Sequence, residues 1–124
     1  MISINKKGNC TIFSVTGEVT ANEILMQLAQ YMAGERTDKA IWDFTATTNV
    51  KITTVEMKGI ADGLKKFSDD KARKVAMVGS KAINIGLGKL FTAFAEMAGV
   101  PNTYRVFRDM DHAIEWLEGL PDDH

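Results

Sequence analysis

One cysteine, two prolines, two histidines and no long apolar run set the first limits on this chain of 124 residues. Cys10 alone cannot close an internal disulfide. With only His112 and His124 to join it, no cysteine–histidine zinc set can be assembled. The expectation is a reduced Cys10, buried as a small apolar side chain, in a cytoplasmic protein. Nowhere is the sequence apolar for long enough to span a bilayer, so no integral membrane segment is expected. The opening Met1-Ile2-Ser3-Ile4-Asn5-Lys6-Lys7 has no signal-peptide core either. Charge of one sign is also lacking: 15 Lys+Arg meet 16 Asp+Glu, a formal net charge of −1. That balance gives no reason to expect nucleic acid as a partner, and it lets copies of the chain approach one another. No linker or low-complexity stretch divides the sequence, so residues 1–124 read as one domain, long enough to bury a core.

What the sequence does have is one phrase used twice: a β-prone run, then Thr-x-x-Glu, then a helical stripe. The first copy runs from Thr11–Gly17 through Thr20-Ala21-Asn22-Glu23 into Ile24, Leu28, Tyr31 and Met32. The second runs from Ala40–Phe44 through Thr53-Thr54-Val55-Glu56 into Met57, Ile60, Leu64 and Phe67. In such a capping box the Thr hydroxyl accepts an N–H of the first helical turn, and the Glu carboxylate accepts the Thr N–H. Strand–cap–helix units in series predict an α/β fold with a mixed, mostly parallel sheet.

The remaining elements follow from period and punctuation. Ile2–Ile4 and Cys10–Thr16 read as a hairpin about Lys6-Lys7-Gly8-Asn9, with Gly17 ending the second strand. Gly34 is the expected stop of the first helix. Thr45-Ala46-Thr47-Thr48-Asn49 reads as a polar link, and Ser68-Asp69-Asp70 as the break after the second helix. Lys74–Val78 is apolar enough to be a central strand. A third helix is firmest over Leu87–Ala98, with Leu87, Leu90, Phe91, Phe94 and Ala98 facing inward. Its entry, Ala82–Gly88, contains two glycines and predicts an irregular first turn. Tyr104–Phe107 is the last strand. Asp109 then caps a short helix with Met110, Ala113, Ile114 and Leu117 inward, and Pro121-Asp122-Asp123-His124 reads as a frayed end. The expected order is ββαβαβαβα, five strands and four helices.

In an open parallel sheet, ligands bind where strands end and helices begin. Asp43, Thr53, Ser80 and Asp109 fall at such positions and form a candidate rim for a ligand or partner. Asp43 and Asp109 could hold a cation or act as a base. They equally suit a loop acceptor and a helix cap, which such folds ordinarily need. Gly86-Leu87-Gly88-Lys89 is not a phosphate loop, because Leu90 replaces the hydroxyl residue and no glycine stands five positions before Gly88. Val78-Gly79-Ser80-Lys81-Ala82 is not a nucleophile elbow. His112 is a lone base at a helix start. The basic residues Lys65, Lys66, Lys71, Arg73 and Lys74 are interrupted by Asp69 and Asp70, as at a solvated helix end. No catalytic set, metal set or cofactor motif emerges. Ile83, Ile85, Leu87, Phe91 and Phe94 exceed what one narrow stripe requires, and form a candidate apolar contact or pocket region beside ordinary core packing.

Element order and specific words together resemble the SpoIIAA-like branch of the STAS superfamily across nearly the whole chain. The words are Val15-Thr16-Gly17-Glu18-Val19-Thr20, Ile41-Trp42-Asp43-Phe44-Thr45, and Val106-Phe107-Arg108-Asp109 with Ala113 and Trp116-Leu117. The Trp-Asp-Phe strand and the Phe-Arg-Asp ending are similar to a divergent STAS/Sec14-like group, mostly without assigned function. The resemblance implies a single SpoIIAA-like domain and a non-enzymatic regulatory module acting through protein contacts or self-association. Its Sec14 side implies the alternative, a carrier or sensor of an apolar, lipid-like small molecule, here through the Ile83–Phe94 region. The phosphorylatable relatives carry Asp-Ser-x-Gly where this chain has Val50-Lys51-Ile52-Thr53-Thr54-Val55. Only Thr53 or Thr54 is left as an acceptor, and Thr53 is expected to be a structural cap.

Overall fold

Gly8 and Asn9 turn the chain between Ile2–Lys7 (β1) and Cys10–Thr20 (β2), with Gly8 at φ 59°, a conformation that costs glycine little. The computed structural model describes residues 1–69 and 71–119. The elements after the hairpin are Ala21–Ala33 (α1), Lys39–Lys51 (β3), Thr54–Lys66 (α2), Lys74–Val78 (β4), Ala82–Ala98 (α3), Thr103–Phe107 (β5) and Met110–Leu117 (α4). The strands lie in the order β1-β2-β3-β4-β5. β1 is antiparallel to β2, and every later pair is parallel. Parallel pairing of β2 with β3 is what a helical crossover through α1 requires.

Alternation along the strands sorts the core into two layers. Phe13, Val15, Ala40, Trp42, Val75 and Met77 point to the face carrying the first layer, which includes Ile24 of α1 and Ile60 of α2, with Phe91 of α3 packed against it. Phe13 stacks on Trp42 at 4.2 Å between ring centroids, and Tyr31 meets Phe13 edge-on at 5.3 Å. The opposite face buries Ile41, Ala76 and Val78 under Ala113 and Leu117 of α4. Burial of side chains as large as Phe13 and Ile41 contributes roughly 1.5–3 kcal/mol each.

Both capping boxes form. Thr20 Oγ1 accepts from Glu23 N at 3.3 Å, and Thr53 Oγ1 accepts from Glu56 N at 3.1 Å. In return each Glu carboxylate accepts its threonine's N–H, at 3.2 and 2.9 Å. Gly34 ends α1, and Phe67 ends α2 with Lys65 and Lys66 in the last turn, where their charge complements the helix dipole.

Several expectations are corrected. Gly17 does not end β2, and the Thr45–Asn49 stretch is not a link. β2 and β3 run on together, pairing Thr16 with Ala46, Gly17 with Thr47, Glu18 with Asn49 and Thr20 with Lys51, across two register shifts. Gly17 at φ 67° absorbs that irregularity. Beyond Val15 and Asp43, respectively, the two strands have no pairing with β1 or β4, so they form a two-stranded arm. The hairpin's first strand also reaches Lys7 rather than stopping at Ile4.

The entry to α3 is regular helix from Ala82, although its N-cap Lys81 provides no side-chain cap. The arm holds it instead: Lys81 Nζ donates to Thr47 O at 3.2 Å, and Asn84 Nδ2 donates to the buried Thr47 Oγ1 at 3.0 Å. A Cβ at Gly88 would lie 3.0 Å from Val106 Cγ2, so this glycine lets α3 seat closely on β5. The inward stripe of α3 is also rotated from expectation, with Ile85 and Ala95 buried and Leu90 exposed. In α4, Ala113 and Leu117 are buried while Ile114 is exposed. Cys10 is half-buried rather than buried. The expected frayed end at Pro121-Asp122-Asp123-His124 lies outside the described residues, as does Asp70.

Candidate functional site

The register divides the four candidate rim residues. Asp43 pairs with Val78, and Val78 with Phe107, so Asp43 stands level with the ends of β4 and β5. Ser80 and Asp109 follow those ends by two residues each, which brings three of the four to one edge of the sheet. Thr53 lies apart, beyond the tip of the arm that β3 continues into.

The carboxylates at this edge already have local partners. Asp43 Oδ1 accepts from Thr45 N at 2.9 Å and from Thr45 Oγ1 at 2.7 Å. Asp109 Oδ1 caps α4 by accepting from His112 N at 2.9 Å, and the carboxylate also meets His112 Nδ1 at 2.8 Å. The His112 N–H and ring together hold the Asp109 carboxyl below its ordinary range. In turn the Asp109 carboxylate raises the His112 imidazole. Both side chains are solvent-exposed, and no nucleophile is hydrogen-bonded to His112 Nε2 among the described residues. Nor is any cluster of His, Cys, Asp and Glu able to hold a metal present among the described residues. Burial raises the Cys10 thiol, opposed in part by Lys39, which leaves little thiolate.

The apolar candidates on α3 separate into two faces. Ile85 is buried, and Leu87 and Phe91 face the interior in part. Ile83 is 69% exposed and Met97 79%. Ile83, Leu87, Leu90, Phe94 and Met97 recur at alternating steps of four and three residues along the outer side, the spacing of a coiled-coil seam. Leu87 and Phe94 are half-buried at its edge. Val55, the second residue of α2, is exposed as well.

A site the sequence did not indicate lies beneath the helices. Between the sheet and α1, α2 and α3 is an apolar cavity of about 140 Å³, walled by Leu28, Trp42, Ile60, Leu64, Met77 and Phe91. Phe44, Val50 and Ile52 of the arm and the segment after it line its upper end. Of the five α3 candidates only Leu87 and Phe91 reach it.

At the amino-terminal ends of the strands its lining turns polar, with Arg36, Ser68, Lys71, Arg73 and Asn102. Arg73 gives both terminal nitrogens to Asp69, at 2.7 and 2.8 Å, and Arg36 Nη1 stands 3.6 Å from the same carboxylate. The two hydrogen bonds from Arg73, with help from the Lys71 N–H, hold the Asp69 carboxyl far below its usual range. Arg36 also donates to Met32 O and Phe67 O, while Lys71 pairs with Asp38. Arg73 Nε is buried and has no hydrogen-bond partner among the described residues. Above it, burial pushes the Tyr104 phenol up, the Asn102 amide donating to its hydroxyl in opposition.

No protein-family model matches the sequence, and no curated protein matches it significantly. Solved structures do match in fold. One is an uncharacterized DUF3478-family protein with a SpoIIAA-like fold from Shewanella loihica PV-4. It is 18% identical with a TM-score of 0.59, over 94% of this chain and 92% of that one. Another is the anti-sigma factor antagonist SpoIIAA in its unphosphorylated form, 10% identical with a TM-score of 0.63, over 97% and 100% of the two chains. The fold of this chain is therefore SpoIIAA-like, in agreement with the fold that its sequence words imply.

Proposed function

We propose that this SpoIIAA-like domain is a non-enzymatic regulatory module that works through protein contacts, with the outer face of α3 as the contact. The observation that carries this reading is the seam of Ile83, Leu87, Leu90, Phe94 and Met97, apolar at every step and outward-facing at Ile83, Leu90 and Met97. An amphipathic helix of a partner, or α3 of a second copy, buries such a seam by knobs-into-holes packing. The near-zero net charge opposes neither. At the rim, Asp43 and Asp109 serve as loop acceptor and cap, in keeping with a non-catalytic role.

A photo-crosslinker placed at Met97 in the native cell should trap one discrete protein, a second copy of the chain included, and Ile83→Asp should abolish the adduct. Absence of any adduct, or turnover of a substrate that Asp43→Asn abolishes, would overturn the proposal. A second reading, sensing or carriage of an apolar small molecule, is favoured by the cavity under α1, α2 and α3. It has the ligand in that cavity, where Leu87 and Phe91 are the members of the Ile83–Phe94 candidates in contact with it.

A further inference from the structure

We infer that the cavity takes an uncharged molecule the size of one aromatic ring, and that a long acyl chain does not fit. This rests on the small-molecule reading and adds the size and charge of the guest. Apolar cavities stay dry, and one of about 150 Å³ accepts a benzene ring, so the 140 Å³ here matches a single ring. A myristoyl chain, with roughly twice the carbons of benzene, exceeds that space.

Empty space costs its lining the dispersion contacts that neighbouring atoms would give, so α3 would gain by settling onto the sheet. It is instead fixed at two places, by the close approach of Gly88 to Val106 of β5 and by the bonds from Lys81 and Asn84 to Thr47 of the arm. A guest restores the missing contacts. The lining suits an aromatic one: Phe91 and Tyr104 already meet edge to face at 5.4 Å, and Trp42 and Phe44 border the same space. Met32, Met57 and Met77 add flexible thioethers that mould round a ring and favour its edge. The same walls disfavour a charge, which would lose its hydration among apolar side chains. The polar side chains set among them are already hydrogen-bonded: Asn84 donates to Thr47, Tyr31 donates to Thr37 O, and Tyr104 accepts from Asn102. At the ionic end Arg36 and Arg73 are held by Asp69, and Lys71 by Asp38. Lys39 also lines that end, next in sequence to Asp38, so a charged guest meets both signs of charge there.

Calorimetric titration of the whole chain with toluene, benzoate and 1-dodecanol tests this. Toluene should bind at least tenfold more tightly than either of the others. Intermolecular NOEs should run from toluene to the methyl groups of Leu28, Ile60 and Leu64 and not to those of Ile83 and Met97, a readout that requires no variant. Leu28→Phe, which fills part of the cavity, should weaken toluene binding at least tenfold without changing the circular dichroism. Benzoate binding as tightly as toluene would overturn the uncharged assignment, and dodecanol binding as tightly would overturn the size limit. Either result would leave the small-molecule reading in place. NOEs confined to Ile83 and Met97 would put the guest on the outer face of α3 and overturn the inference. Failure of all three compounds at their solubility limits would overturn both the inference and the small-molecule reading.

Discussion

At the scale of single residues, Thr53 shows what local chemistry makes readable. Its box with Glu56 spans three positions, so both hydrogen bonds are implicit in four consecutive letters, and the structure contains them. Thr53→Ala should lower stability by about 0.5–2 kcal/mol in a denaturant titration, the usual cost of a lost cap. We further expect Thr53 to carry no phosphate in protein isolated from its native cell, which intact mass would show. Asp109 and His112 form a second local device. The raised imidazole contributes stability that is present below its unfolded pKa of about 6.5 and is lost as pH rises through the higher folded value. The lowered carboxyl contributes in the opposite direction, above its unfolded pKa, and is lost as pH falls through the folded one. The start of α4 is thus firmest between the two ranges. An NMR titration should place His112 above 6.5, and Asp109→Asn should return it towards that ordinary value. Arg73 was not readable in this way. Its neighbours suggest a solvated helix end, and nothing in consecutive letters shows that its guanidinium folds back beneath the helices.

At the scale of elements, the order, the parallel pairing and both capped helices were legible because period and capping are local signals. Strand length was not. Gly17 looked like a terminator because glycine usually punctuates, but here its positive φ carries β2 through an irregularity in the pairing with β3. Gly17→Ala should cost about 1–2 kcal/mol, the penalty of a left-handed conformation with a Cβ. No clash with a neighbouring segment adds to that local cost, since nothing beyond the adjoining residues lies within 4 Å of a Cβ built there. Gly59, inside α2 and equally uncrowded, gives the contrasting result: Gly59→Ala should stabilise by roughly 0.5–1 kcal/mol through helix propensity. The first turn of α3 is regular for a related reason. Its support comes from Thr47, 34 residues before Lys81, so no window around Ala82–Gly88 could reveal it.

At the scale of the whole molecule, the two-layer core followed from alternation along the strands, whereas the cavity did not. A sequence states which side chains are apolar but not whether together they fill the space between a twisted sheet and three helices. The rim was legible as a list of strand ends and only partly as a place, because the arm carries Thr53 away from Asp43, Ser80 and Asp109. The same arm bears on timing. It has no neighbouring strands, it ends at Thr20, the cap of α1, and two residues short of Thr53, the cap of α2, and Phe44 and Val50 on it line the cavity. A two-stranded ribbon opens more readily than a five-stranded sheet, so amides of Val19 and Val50 should exchange with deuterium before those of Ile41 and Ala76. Were the interior to take a small molecule, the arm would act as its clock, the guest's residence time being governed by how often this ribbon unzips.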